Sequence, residues 1–298
     1  MSPSLLRNAL FLIWLGVFVL FINLDRLTWS FFWWVALTFW PLLLISWGWE
    51  KIFSAKNLRP VAYLSTFILI GPLGYVLATA LTNGGTHENY YEYSLDKKPG
   101  WHKLDLTLKL RSNDLYLSSD PNRFVYGDFD YLLARPDVNF TDKPEAAEVT
   151  ISDRDWFWPL GRWRAFRDRG WSVSVTDSVP VALSIKTGRG DVEIDARSLQ
   201  LEKLSVEGPA EDVLLKLAPK AKDLNAKLAL SKADIVINLP DSVGIEATGK
   251  ADWSDLTSSD WRFTQKGNTF VSENFDRARV SVRFEFSRQP ESVEFRAE

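Results

Sequence analysis

The chain has 298 residues, 46% of them apolar and 24% charged, a mean hydropathy of −0.11 and a net charge of −3. It has no cysteine and only two histidines, His87 and His102. This excludes a disulfide framework, a thiolate metal site and a cysteine nucleophile, and leaves little for a histidine relay. The acidic balance argues against nucleic acid as a partner, since phosphates call for a basic surface.

The averages hide a division near Gly85. Residues 1–85 hold five basic residues (Arg7, Arg26, Lys51, Lys56, Arg59) and two acidic ones (Asp25, Glu50), and seven of the chain's 14 tryptophans. Within them, Leu5–Leu24 carries one charge, Arg7, and neither Leu27–Trp49 nor Val61–Leu81 carries any. Each run is long enough to cross a hydrocarbon core of about 30 Å. No small-residue cleavage site follows the first run and a second begins almost at once, so three spans fit better than a signal peptide. The expected domains are a three-helix membrane bundle over 1–85, with spans about 5–24, 27–49 and 61–81, and a β-rich part over 86–298.

Trp29, Trp33 and Trp34 gather at one end of the second span, and Trp47 and Trp49 at the other. Indole rings settle at headgroup level, so these five, with Lys51, Lys56 and Arg59, are expected at the membrane interface. Mid-span Trp14 and Trp40 are expected to pack between helices. Gly71, Gly74 and Ala78 in the third span have the spacing that lets helices approach, and they read as packing within the bundle. No ionisable residue lies deep in a span, so no ion path or proton relay is marked. Arg7 accompanies the amino terminus, and the link between spans two and three holds Lys51, Lys56 and Arg59. With three spans both basic segments share the cytoplasmic side, and the β-rich part lies outside the cytoplasm.

From Trp101 onward the apolar period becomes two. Leu104, Leu106, Leu108 and Leu110 alternate with polar residues, as do Val280, Val282, Phe284 and Phe286. Between them run short strands, three of which open alike at Asp191, Asp212 and Asp234, 21 and 22 residues apart. A sequence repeat near this length with two strands per period predicts a coiled β-solenoid; a β-sandwich is the alternative.

Here the chain resembles a known family. Phe18-Val19-Leu20-Phe21-Ile22-Asn23-Leu24, followed by Trp40-Pro41-Leu42-Leu43-Leu44 and Gly48, resembles the LiaI-LiaF-like transmembrane region. The repeating strands, with Gly188-Arg189-Gly190-Asp191 and with Leu239-Pro240 before Val243-Gly244-Ile245, resemble the toast-rack β-domain often joined to it. The likeness covers residues 5–50 well and 175–250 more loosely; residues 86–175 match nothing. It implies a bacterial envelope-stress protein, since LiaF-like members restrain a sensor kinase in the membrane. LiaF-like proteins carry four spans and this sequence shows three, a difference that bears on the side the β-domain occupies. The family brings no catalytic motif, so none is carried over.

Three features are candidates for chemistry. The Asp191, Asp212 and Asp234 column has oxygen ligands at strand spacing, yet no Gly-Asp-rich loop accompanies it. Each aspartate reads more simply as opening a strand at a turn. Arg189-Gly190-Asp191 reads as a Gly turn entering a strand. The third is an Arg/Trp-rich insert at 154–171, where Trp158, Arg162, Trp163, Arg164, Phe166, Arg167, Arg169 and Trp171 suit an anionic lipid, a wall polymer or a protein partner. The same residues also suit a cap on the end of the solenoid, aromatics inward.

No zinc-protease, nucleophile-elbow or phosphate-loop motif is present, and a sugar-cleaving groove built from scattered carboxylates leaves no motif to read. The expectation is a non-catalytic, cofactor-free protein of the inner (cytoplasmic) membrane that senses or scaffolds at the envelope. Its expected partners are the lipid bilayer and a membrane protein such as a sensor kinase, with a homo-oligomer compatible. An adhesin-like module for wall polymer or anionic lipid is the alternative.

Overall fold

The computed structural model describes residues 2–54, 59–82, 89–111, 113–131, 135–154, 170–220, 223–250, 256–258 and 260–298. The chain divides into two compact units, one carrying the helices and one carrying the β-sheets.

The helical unit contains α1 (Pro3–Asn23), α2 (Trp29–Ser54), a single turn α3 (Arg59–Ala62) and α4 (Leu64–Thr82). Ser2 caps α1 by accepting the Leu5 N–H, with Pro3 in the first turn where its missing donor costs nothing. Three helices are long and apolar enough to cross a membrane: Pro3–Asn23, Phe31–Phe53 and Leu64–Leu81. α4 packs against both α1 and α2. Phe18, Phe31, Leu69 and Val76 fill the seam. The Trp14 indole N–H donates to the Leu73 carbonyl at 3.2 Å, and Ser46 Oγ donates to the Ser65 carbonyl at 2.8 Å. Such bonds matter where no water can replace them. At one end Arg7 and Glu50, both largely buried, form an ion pair at 2.6 Å between α1 and α2.

Rotation about the helix axes departs from two expectations. Trp40 is 49% exposed and faces away from its neighbours, while Trp14 is buried as expected. Gly71 and Ala78 lie on the outward side of α4, with no described atom within 4 Å of a side chain built on Gly71. The bundle closes on Leu69, Leu73, Val76 and Ala80 instead.

The β-unit opens with β1 (Asn89–Leu95) and continues as two-stranded turns. These are β2 (Lys103–Lys109) with β3 (Asp114–Ser119), then, after β4 (Val125–Tyr131) and β5 (Asp137–Asp142), β6 (Ala146–Ser152) with β7 (Gly170–Val175). Next come β8 (Pro180–Lys186) with β9 (Val192–Ala196), β10 (Gln200–Gly208) with β11 (Asp212–Leu217), and β12 (Asp223–Leu230) with β13 (Asp234–Leu239). β14 (Gly244–Gly249) with β15 (Leu256–Ser258) precede the hairpin β16 (Phe263–Lys266) and β17 (Thr269–Ser272), and β18 (Ser281–Phe286) with β19 (Ser292–Ala297) end the chain.

Each turn gives one strand to each sheet. The nine-stranded sheet runs β1-β4-β7-β3-β9-β11-β13-β19-β15, and the ten-stranded sheet β16-β17-β14-β18-β12-β10-β8-β2-β6-β5. Pairing between turns is parallel throughout, which sets the domain apart from an antiparallel sandwich. Antiparallel pairs occur toward the ends, at β4–β7, β5–β6, β14–β17 and β16–β17.

The stack is not a simple coil. In both sheets β2/β3 sits inside β6/β7, and the last turn, β18/β19, sits between β12/β13 and β14/β15. The alternating residues of every turn fill one core between the sheets, from Leu104 to Phe295. Trp101 closes it near β5, its indole donating to Asp142 at 2.9 Å, and Trp261 near β14, donating to the Val243 carbonyl at 3.2 Å. Gly188 has an ordinary backbone conformation; it is required because a side chain there would overlap the Arg111 carbonyl. Close approach of two loops, rather than a special turn, explains that glycine.

Candidate functional site

Strand alternation and register build the outer face of the nine-stranded sheet in rows. The row at the strand starts brings Gly170, Asp114, Asp191, Asp212, Asp234 and Ser292 side by side. Two residues further along, the next row reads Asp128, Ser172, Tyr116, Glu193, Leu214, Val236 and Glu294 across seven strands. Over these rows lies an open groove of about 790 Å³, lined also by Tyr90, Asp130 and Arg296.

The aspartates are held along the row by hydrogen bonds. The Asp191 N–H donates to Asp114 Oδ1 at 2.9 Å, the Asp212 N–H to Asp191 Oδ1 at 3.3 Å, and Ser292 Oγ to Asp234 Oδ1 at 2.6 Å. The Asp114, Asp191 and Asp234 carboxylates thus each bond the next turn. Among the described residues no three His, Asp or Glu are placed to hold a metal ion.

Charge is compensated unevenly. Lys216 Nζ pairs with Glu193 at 2.7 Å and Arg296 with Glu294 at 2.6 Å. The Glu193 carboxylate raises the Lys216 ammonium above its usual range, and the Arg296 guanidinium lowers the Glu294 carboxyl. Asp128, Asp130, Asp191, Asp212 and Asp234 have no ion-pair partner among the described residues. At the groove's end Tyr90 donates to Asp128 at 2.8 Å, and that carboxylate holds the phenol above the usual tyrosine range. Tyr116, Leu214 and Val236 supply an apolar strip between the charges. The arrangement concentrates negative charge beside apolar surface across the strands.

Residues singled out in the sequence fall elsewhere. Trp29, Trp33 and Trp47 are well exposed on α2. Trp34 is a correction: at 5% exposure it stacks on Phe31, 5.5 Å between ring centres, and belongs to helix packing. Trp49 is half-buried, its indole donating to the Val61 carbonyl at 3.0 Å, and Lys51 is exposed in the last part of α2. Arg59 opens α3, while its side chain and Lys56 lie outside the described residues, as do Trp158, Arg162, Trp163, Arg164, Phe166, Arg167 and Arg169. Trp171 lies in β7 at 0% exposure, its ring meeting Phe129 edge-on at 4.9 Å. It packs the core and offers no contact surface.

The groove itself was not foreseen. A signal for it exists in Val213-Leu214-Leu215 and Ile235-Val236-Ile237, where apolar residues occupy outward positions that alternation reserves for polar ones.

The family profile described as the N-terminal domain of toast_rack, DUF2154, matches residues 83–237, and so extends the likeness over residues 86–175, where sequence motifs alone show none. A proposed cell-adhesion protein from Clostridium sporogenes is similar in structure, with a TM-score of 0.60 and 14% identity over 71% of this chain and 100% of that one. A proposed adhesin from Bacteroides fragilis aligns over 70% of this chain and 95% of that one at 12% identity, with a TM-score of 0.24. Only the first likeness speaks to fold. No curated protein matches the chain. The chain belongs to the toast-rack family.

Proposed function

We propose that this toast-rack protein is a non-catalytic binding and scaffolding component of the bacterial envelope, anchored in the inner membrane by three spans. One observation carries the reading: a toast-rack domain with an open groove is joined in one chain to three helices apolar enough to cross a bilayer. The groove receives a ligand, and the helices pass its occupancy to a membrane partner such as a sensor kinase. The likeness of residues 5–50 to the LiaI-LiaF-like region supports that partner class.

Charge supports the orientation. Glu50 neutralises Arg7, so the bias rests on Lys51 in the last turn of α2 and on Lys56 and Arg59 beyond it. Basic links stay in the cytoplasm, which puts the amino terminus there too and the β-domain outside it. Deleting the gene and following an envelope-stress reporter under wall-active antibiotics tests the role. Altered reporter output is expected, and unchanged output refutes the signalling part.

The likeness to a proposed cell-adhesion protein favours a second reading, in which the β-domain holds a wall polymer or anionic lipid through Arg162, Arg164, Arg167 and Arg169. Replacing all four with Gln would then weaken co-sedimentation of the full chain with wall material or anionic vesicles.

A further inference from the structure

The outer face of the nine-stranded sheet combines three properties that together select a ligand class. First, the groove is anionic. Among the described residues its lining includes Asp114, Asp128, Asp130, Asp191, Glu193, Asp212 and Asp234 against one cation, Arg296. Lys216 neutralises Glu193, and Arg296 is itself held by Glu294. Asp191, Asp212 and Asp234 have no ion-pair partner among the described residues and lie in register on adjacent strands, at the parallel-strand spacing of about 4.8 Å.

Second, the groove is long. From Asp128 to Val236 the row crosses six strands, about 24 Å at strand spacing, the reach of roughly seven residues of extended chain. Third, its floor is apolar at Tyr116, Leu214 and Val236, which a small hydrated cation does not use and an aliphatic side-chain stem does.

We propose that this groove docks an extended, lysine- or arginine-rich polypeptide segment of another protein. Cationic heads meet the aspartate row, and their methylene stems lie over Leu214, Val236 and Tyr116. The proposal rests on the binding-module reading and names the ligand of that module.

The full chain, reconstituted in neutral lipid nanodiscs, is titrated with a fluorescent ten-residue Lys/Leu peptide, with a Glu/Leu peptide of the same length, and with spermine. The lysine peptide is expected to bind with an affinity that falls as salt rises, and the glutamate peptide not to bind. Replacing Asp191, Asp212 and Asp234 together with Asn should weaken binding by about tenfold or more, and Leu214→Ser with Val236→Ser should weaken it while preserving the salt dependence. Far-ultraviolet circular dichroism and melting of each variant verify its fold.

Lysine-peptide affinity unchanged in the folded triple Asn variant overturns the proposal. So does spermine binding as tightly as the peptide. Tighter binding after Arg162, Arg164, Arg167 and Arg169 are changed to Gln also overturns it, because the groove then belongs to this chain's own basic segment. If the peptide fails to bind while the triple Asn variant still fails to complement the deletion strain, the ligand class is wrong and the binding-module reading survives. If the variant complements fully, that reading falls as well.

Discussion

Trp171 shows how much a single side chain is asked to do. Its ring is fully buried against Phe129, yet its indole N–H has no hydrogen-bond partner among the described residues. Trp171→Phe keeps ring packing and removes an unpaired donor, so thermal unfolding of the full chain should change by less than about 1 kcal/mol. Trp171→Ala should cost about 3–5 kcal/mol. On the outer face of the same sheet Arg197 bonds Asp195 at 2.6 Å and reaches Glu298 at 2.7 Å. The guanidinium holds the Asp195 carboxyl below its ordinary value. A carboxyl depressed in the folded state stabilises above its unfolded value and loses that effect as pH falls through the folded one. Arg197→Ala should therefore raise the Asp195 titration seen by NMR, and flatten the acid limb of the stability profile.

At the level of elements, the alternations at Leu104–Leu110 and Val280–Phe286 were legible because each strand buries one face, and all these side chains but Leu110 and Val280 lie in strands. The three apolar runs were legible from length and lack of charge alone. What the sequence does not display is which slot a strand takes. β18 resembles its neighbours in pattern, yet it pairs with both β12 and β14, and β19 with both β13 and β15. Slot order depends on contacts between residues far apart in the chain, to which periodicity is blind. The rotation of α2 escaped for a similar reason: Trp34 and Trp40 differ in role through which face of α2 is buried. An interior slot makes the last turn structurally central. Phe284→Ala in β18 should destabilise by about 3–5 kcal/mol, and Phe263→Ala in outlying, half-buried β16 by about 1 kcal/mol. Denaturant melts of the full chain would separate them; equal costs would contradict the central placement.

The molecule as a whole joins an apolar, basic-linked bundle to an acidic β-domain, and its function depends on where the bilayer puts each. Because the sequence has no cysteine, one introduced cysteine is a unique chemical reporter. Lys56→Cys marks the link between α2 and α4, and Lys266→Cys marks an exposed position of β16. Labelling with a membrane-impermeant maleimide in intact spheroplasts tests the arrangement directly. Lys266→Cys is expected to label at once and Lys56→Cys only after the membrane is permeabilised. Labelling of Lys56→Cys in intact spheroplasts, with Lys266→Cys protected, would place the β-domain in the cytoplasm and contradict the proposed orientation.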